Sequence, residues 1–184
     1  MMNLEEIKGE VQNCQKSPLY KERTYPVVGE GNTSADIMLV GEAPGFNEDK
    51  TGHPFCGKAG EILDELLNSV RIKREDIYIG NILKCRPPGN RNPKEEEIKS
   101  CSPYLDRQIE IIKPKVLCCL GNFSTSYILK KFGLKSHIQG ISRIHGQIFA
   151  VPDIAELGLG VPLYHPSVVT YNMNMKETLK KDFQ

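Results

Sequence analysis

The sequence predicts an α/β fold, a parallel sheet flanked by helices, organised as one domain over residues 1–184. Three observations point there. Short apolar runs alternate with longer stretches of helical spacing, as strand–helix–strand units require. The length suffices to bury one substantial core. Several apolar runs end in glycine or polar residues, as strands do where an open sheet meets a ligand crevice.

Each element follows from its local pattern. Leu4, Ile7 and Val11 carry helical spacing through residues 3–13. Asp36–Val40 is a short apolar strand running into Gly41. Lys58–Val70 is an amphipathic helix with Ile62, Leu63, Leu66, Leu67 and Val70 on one face. Ile77–Leu83 is a second strand, followed by a loop over Pro87–Pro93 with strong turn chemistry. Glu95–Ile112 is a long helix whose first turn carries Glu95, Glu96 and Glu97, which suit the helix dipole. Lys115–Leu120 is a strand, Asn122–Phe132 a helix, Gln147–Val151 and Val161–Tyr164 late strands, and Lys176–Asp182 a terminal helix. Residues 133–146 and 152–160 are expected to be loops.

Composition excludes some classes. No apolar run approaches the roughly 20 residues needed to span a bilayer. The first residues, Met1 to Glu6, lack the basic and apolar regions of a signal peptide, so the chain is expected to be intracellular and cytoplasmic. A formal net charge of +1 neither demands nor excludes nucleic acid, because a local stripe matters more than the total. Two stripes are candidates: Lys84, Arg86, Arg91 and Lys94, and Lys130, Lys131, Lys135 and Arg143. In a reducing compartment six cysteines point to metal ligation, catalysis or core filling before disulfides. Cys118 and Cys119 lie inside an apolar run and point to opposite faces of a strand, so they read as core residues that do not chelate one ion.

Three separated segments sit where strand-like runs end: Gly41-Glu42-Ala43-Pro44-Gly45, Asn81–Pro87, and His165-Pro166-Ser167. One fold would bring an acid, an amide and an imidazole to a single crevice. The glycine-rich turn lets backbone approach a ligand. Asn81 offers a paired donor and acceptor where asparagine is otherwise depleted. A histidine at a strand end can donate to a developing anion. Phe55 lies in a turn-rich loop, where it serves either as a core anchor or as a stacking surface. Cys14, Cys85 and Cys101 suggest a metal cluster tied to the same region.

Taken in order, GEAPG (41–45), GHPFCGKAG (52–60), NILKCRPPGNRNP (81–93) and YHPS (164–167) resemble the family-4 uracil-DNA glycosylases, iron–sulfur members of the uracil-DNA glycosylase superfamily. The resemblance runs from about Cys14 to His165. Each motif is short, and the ordered set is specific. It implies a four-stranded parallel sheet between helices. It also implies a glycosylase that flips deoxyuridine out of DNA and hydrolyses its N-glycosidic bond, leaving an abasic site. No lysine is placed by motif for Schiff-base chemistry, so the enzyme is expected to be monofunctional.

The resemblance also assigns roles. His165 would hydrogen-bond uracil O2 as charge develops. Asn81 would read O4 and N3–H. Phe55 would stack on the base, and the backbone of Gly41, Glu42 and Ala43 would line the pocket. The family-1 pattern GQDPY has an aspartate where this chain has Ala43 and a tyrosine where it has Gly45. Glu42 is therefore the first candidate for holding the attacking water or balancing the sugar cation, with Asn90 and Glu48 behind it. Glu48 is expected to fill the space that would admit thymine's methyl group. Val168 and Val169 follow HPS and serve either as an apolar wedge into DNA or as a core strand. His145 is expected to contact phosphate.

A 4Fe–4S cluster is the implied cofactor, held by Cys14, Cys85 and Cys101, with Ser17 at the position of the usual fourth cysteine. A serine alkoxide is a poor match for iron. The cluster is therefore expected either to persist with an oxygen ligand, to lose an iron, or to assemble poorly. The implied partner is uracil-containing DNA, single- or double-stranded, with a replication clamp as a further candidate and the chain itself a monomer. The alternative function is a catalytically silent iron–sulfur DNA-binding module.

Overall fold

The computed structural model describes residues 3–152 and 158–184. Its strands are β1 (Glu30–Gly31), β2 (Ile37–Gly41), β3 (Tyr78–Asn81), β4 (Val116–Leu120), β5 (Phe149–Ala150) and β6 (Leu159–Leu163). They form one sheet in the order β1-β3-β2-β4-β6-β5. The four inner strands, β3, β2, β4 and β6, are parallel. They are the four-stranded sheet expected from the sequence. Two antiparallel edge strands of two residues each raise the total to six. Such short edges leave little unpaired backbone for another chain to join. The strand expected over Gln147–Val151 is the short edge β5.

The helices are α1 (Leu4–Gln12), α2 (Phe46–Thr51), α3 (Lys58–Ser69), α4 (Glu95–Ile112), α5 (Asn122–Lys131), α6 (Ile141–Ile144), α7 (Val168–Tyr171) and α8 (Met175–Phe183). Asn3 begins α1 with a capping box: its side chain accepts from the Glu6 N–H, and the Glu6 carboxylate accepts from the Asn3 N–H. The stretch 133–146, expected to be loop, contains a 3-10 turn (Lys135–His137) and α6. Of the expected loop 152–160, residues 153–157 lie outside the described residues and 159–160 belong to β6. No helix among the described residues is long and apolar enough to cross a membrane.

The sheet divides the core in two. On one side Met38, Val40, Leu117 and Cys119 pack with Leu105, Ile109 and Ile112 of α4 and Ile128 of α5. On the other, Leu39, Ile79 and Leu120 pack with Leu63 and Leu67 of α3, and Cys118 joins them from the sheet. The adjacent cysteines thus fill opposite layers, as strand alternation dictates. Ile62 and Leu66 of α3 bury a third cluster with Val169 and Leu179. Val169 is therefore core, not a wedge.

Candidate active site

Parallel strands place their carboxyl ends on one edge of the sheet, and the site forms there. In the register of β2 and β3, Gly41 pairs with Asn81. The chain leaving β2 gives Glu42 to Gly45, and the chain leaving β6 gives His165. Glu42, Ala43, Glu48, Phe55, Asn81, Asn90 and His165 line one cleft of about 710 Å³. Gly41 does not line this cleft but packs behind two residues that do: a Cβ there would come within 2.2 Å of Asn81 Oδ1 and 2.9 Å of the Phe55 ring. The absence of a side chain at residue 41 lets the amide and the aromatic ring converge.

Asn81 is buried, and its Oδ1 has no hydrogen-bond partner among the described residues. A buried acceptor left unpaired costs about 1–3 kcal/mol, so it points to a donor supplied by a ligand. The ring of Phe55 lies 5.6 Å from that of His165, centroid to centroid. Phe55 adopts φ +49, an unusual conformation for a bulky residue. Arg74 holds it there, donating to the carbonyls of Pro54 (2.5 Å) and Phe55 (3.2 Å). Arg74 is itself held by Asp64 and Glu30, and Glu30 reaches His53 in the same loop. Sequence reading missed this clamp because Arg74 lies outside the motifs it serves.

The tautomer of His165 follows from its neighbours. The Ser167 backbone N–H donates to Nδ1 at 3.2 Å, and the Ser167 hydroxyl stands 2.8 Å from the same atom. With Nδ1 an acceptor, the neutral ring carries its proton on Nε2. Burial pulls the imidazole down to about 4, with the charge of Glu48 opposing. Burial raises the Glu42 carboxyl above its ordinary range, and no described residue donates to that carboxylate. Glu48 is fully engaged: it accepts from the N–H groups of Gly45, Cys56 and Gly57 at 3.1, 3.0 and 3.1 Å. Asn90, at φ +55, accepts from Arg86 Nε at 2.6 Å. In α7, Val168 lines the cleft while Tyr171, at the rim, is 85 % exposed.

Two residues expected to face solvent or phosphate have other duties. Lys84 is only 1 % exposed; its ammonium donates to the Asn81 carbonyl (2.9 Å) and to Gln108 Oε1 (2.7 Å). It therefore leaves the expected basic stripe and braces the residue beneath the orphan amide. His145 is paired with Asp182 at 2.8 Å.

Beside this site a narrow cleft is lined by Cys14, Ser17, Cys85 and Cys101, the four positions expected to hold a cluster. Arg23 donates to Cys85 Sγ at 3.2 Å and the Lys84 N–H to Cys101 Sγ at 3.1 Å, a setting that suits sulfurs bearing negative charge. Burial pushes both thiols up, so ionisation there needs a bound cation. No trio of His, Cys, Asp or Glu among the described residues is arranged to hold a single metal ion. A cluster is wider than an ion and takes thiols that stand further apart. Ser17 begins the 3-10 turn Pro18–Lys21 without using its hydroxyl as a cap, leaving that oxygen available.

Comparison with known proteins agrees with this geometry. A sequence model of the uracil DNA glycosylase superfamily matches residues 28–184. The type-4 uracil-DNA glycosylase of Saccharolobus solfataricus is 46 % identical over 185 residues, covering 100 % of this chain and 85 % of that protein. That of Archaeoglobus fulgidus is 43 % identical, covering 100 % and 92 %. That of Thermotoga maritima is 43 % identical over 171 residues, covering 92 % and 84 %. With the crevice, the orphan amide and the donor imidazole in place, likeness over the full length establishes that the chain belongs to the uracil-DNA glycosylase superfamily, among its type-4 members.

Proposed function

We propose that this protein is a monofunctional uracil-DNA glycosylase, hydrolysing the N-glycosidic bond of deoxyuridine in DNA to release uracil and leave an abasic site. The observation that carries the reading is the buried, unpartnered Oδ1 of Asn81. Uracil supplies the missing donor, N3–H, and accepts from the Asn81 amide through O4. Cytosine presents an acceptor and a donor in the opposite order. It would leave the amide mismatched on both atoms, a loss that hydrogen-bond reading makes large.

As the bond breaks, negative charge collects on the base. The Nε2–H of His165 faces uracil O2, and one such donor contributes on the order of 3 kcal/mol, about a hundredfold in rate. Phe55 stacks on the base from the Arg74-held loop. Glu42, in the carboxylate form, orients the attacking water and balances the cationic sugar; Asn90 is second in line for the water. Glu48, fixed by three backbone N–H groups, is the wall against thymine's methyl.

Cys14, Cys85 and Cys101 would hold a 4Fe–4S cluster, with Ser17 as a weak fourth ligand. Held by these residues, a cluster would tie the N-terminal segment to the chain that follows Asn81 and would serve structure, with no part in the hydrolysis. DNA is the partner, and the chain acts as a monomer.

The test is release of free uracil from a single-stranded oligonucleotide carrying one deoxyuridine, with thymine as control. Release from the uracil strand alone, leaving an uncut abasic strand, is the expected result. Strand cleavage would overturn the monofunctional assignment, and no release would overturn the reading.

A further inference from the structure

Phe46 stands outside both the base pocket and the core. It opens α2 directly after Gly45, which lines the pocket, yet the ring is 49 % exposed. Two cations attend it. Lys50 Nζ, one helical turn on, lies 4.2 Å from the ring centroid, and the Arg86 guanidinium carbon lies 5.1 Å away. Through Nε, Arg86 also holds Asn90 on the pocket wall. The group therefore adjoins the cleft, through Gly45 and Asn90, without lining it.

Its charge is uncompensated. Neither Lys50 nor Arg86 forms a salt bridge among the described residues, whereas Arg91 and Arg74 nearby are neutralised by Glu97, Glu30 and Asp64. The carboxylates of α2 do not help: Glu48 is bound to the loop N–H groups and Asp49 is buried, accepting from the Thr24 N–H. An exposed aromatic flanked by free cations is the composition of a platform for single-stranded nucleic acid, where the ring takes a base face and the cations take the phosphate.

We propose that Phe46, Lys50 and Arg86 form a second nucleotide subsite, which holds an unpaired base adjacent to the flipped one with its phosphate against the cations. The proposal rests on the glycosylase reading. Within a duplex the neighbouring base is already stacked and paired, so the subsite favours single strands and locally opened DNA.

Fluorescence anisotropy with a short single strand carrying one abasic analogue tests this. Arg86 is left intact because it also positions Asn90. Phe46→Ala is expected to weaken binding about tenfold and Phe46→Trp to retain it, since base–aromatic stacking is tolerant of ring type. The loss should be smaller on the matching duplex. Lys50→Gln should flatten the dependence of log affinity on log salt by about 0.7. Phe46 belongs to no buried cluster, and equal melting temperatures will show that the variants fold. If wild type releases uracil but Phe46→Ala binds the single strand as wild type does, or Phe46→Trp loses as much as Phe46→Ala, the subsite is wrong and the function stands. If wild type neither releases uracil nor prefers the abasic strand, both fall.

Discussion

A buried carboxamide oxygen with no donor is a liability in the free protein, and Asn81 carries one. Removing it should separate function from stability. Asn81→Ala is expected to lower uracil release by on the order of a hundredfold while leaving the melting temperature unchanged or raised, because the variant deletes an unsatisfied group. A clear fall in melting temperature would mean that Asn81 is structural. His165 makes a prediction about pH. Its imidazole is held down to about 4, below the ordinary value of 6.5. Between those values the unfolded chain binds the proton and the folded chain does not. This histidine's contribution is therefore intact above pH 6.5 and is lost as pH falls from 6.5 to 4. Denaturant titrations across that window should show a shallower pH slope for His165→Asn than for wild type. Uracil release should show no loss near pH 6.5 from this ring, since the neutral donor persists. A titration of activity at 6.5 that disappears in His165→Asn would refute the neutral assignment.

At the scale of elements, two arginines fix the walls of the site, Arg74 from outside the cleft and Arg91 from its lining. Arg74 joins the connection between α3 and β3 to the Phe55 loop through two carbonyls. Arg74→Met should therefore weaken inhibition by free uracil several-fold, with Arg74→Lys partly restoring it; an unchanged inhibition constant would separate the clamp from stacking. Arg91 donates twice to Glu97, at 2.9 and 2.6 Å, and that buried carboxylate also accepts from the Lys94 N–H at the start of α4. Arg91→Ala strands a buried charge and should cost about 2 kcal/mol, below the roughly 3–5 kcal/mol of a fully buried pair because Arg91 is partly exposed. Urea midpoints measure it. The inner strands and the longer helices were legible because each depends on local pattern, whereas the short elements β1, α2, α6 and α7 were not; the inner strands are near-continuous apolar runs, as a parallel sheet covered on both faces requires. The helix over Glu95–Ile112 appears as its spacing predicts. What depends on distant contacts was not legible. Lys84 sits among basic residues in sequence, yet Gln108, on α4, draws it inward. Val169 belongs to the core because α3 and α8 cover it, which spacing around HPS does not reveal.

At the scale of the whole molecule, the base pocket and the cysteine cleft are joined along one short run of chain. Asn81 ends β3; Lys84 bonds back to its carbonyl; the Lys84 N–H meets Cys101; and Cys85 and Cys101 line the cleft with Cys14 from the N-terminal segment. A cluster there would connect α1, the chain after β3 and α4, adding to the packing of Ile7 and Val11 on Tyr104 and to the Arg107–Glu10 pair. Binding to the folded state alone adds to stability, so loss of iron should loosen all three together. Ser17 weakens this connection in a specific way. Its hydroxyl has a far higher pKa than a thiol and gives iron a harder ligand, so an iron facing Ser17 should be the first to leave. Ser17→Cys is therefore expected to slow iron loss to a chelator and raise the melting temperature, while uracil release by freshly prepared protein stays the same, as the structural role proposed for the cluster requires. Iron per chain followed over time in chelator decides it. Equal rates of loss in the two proteins would mean that residue 17 does not face iron, and that the three thiols alone set the life of the cluster.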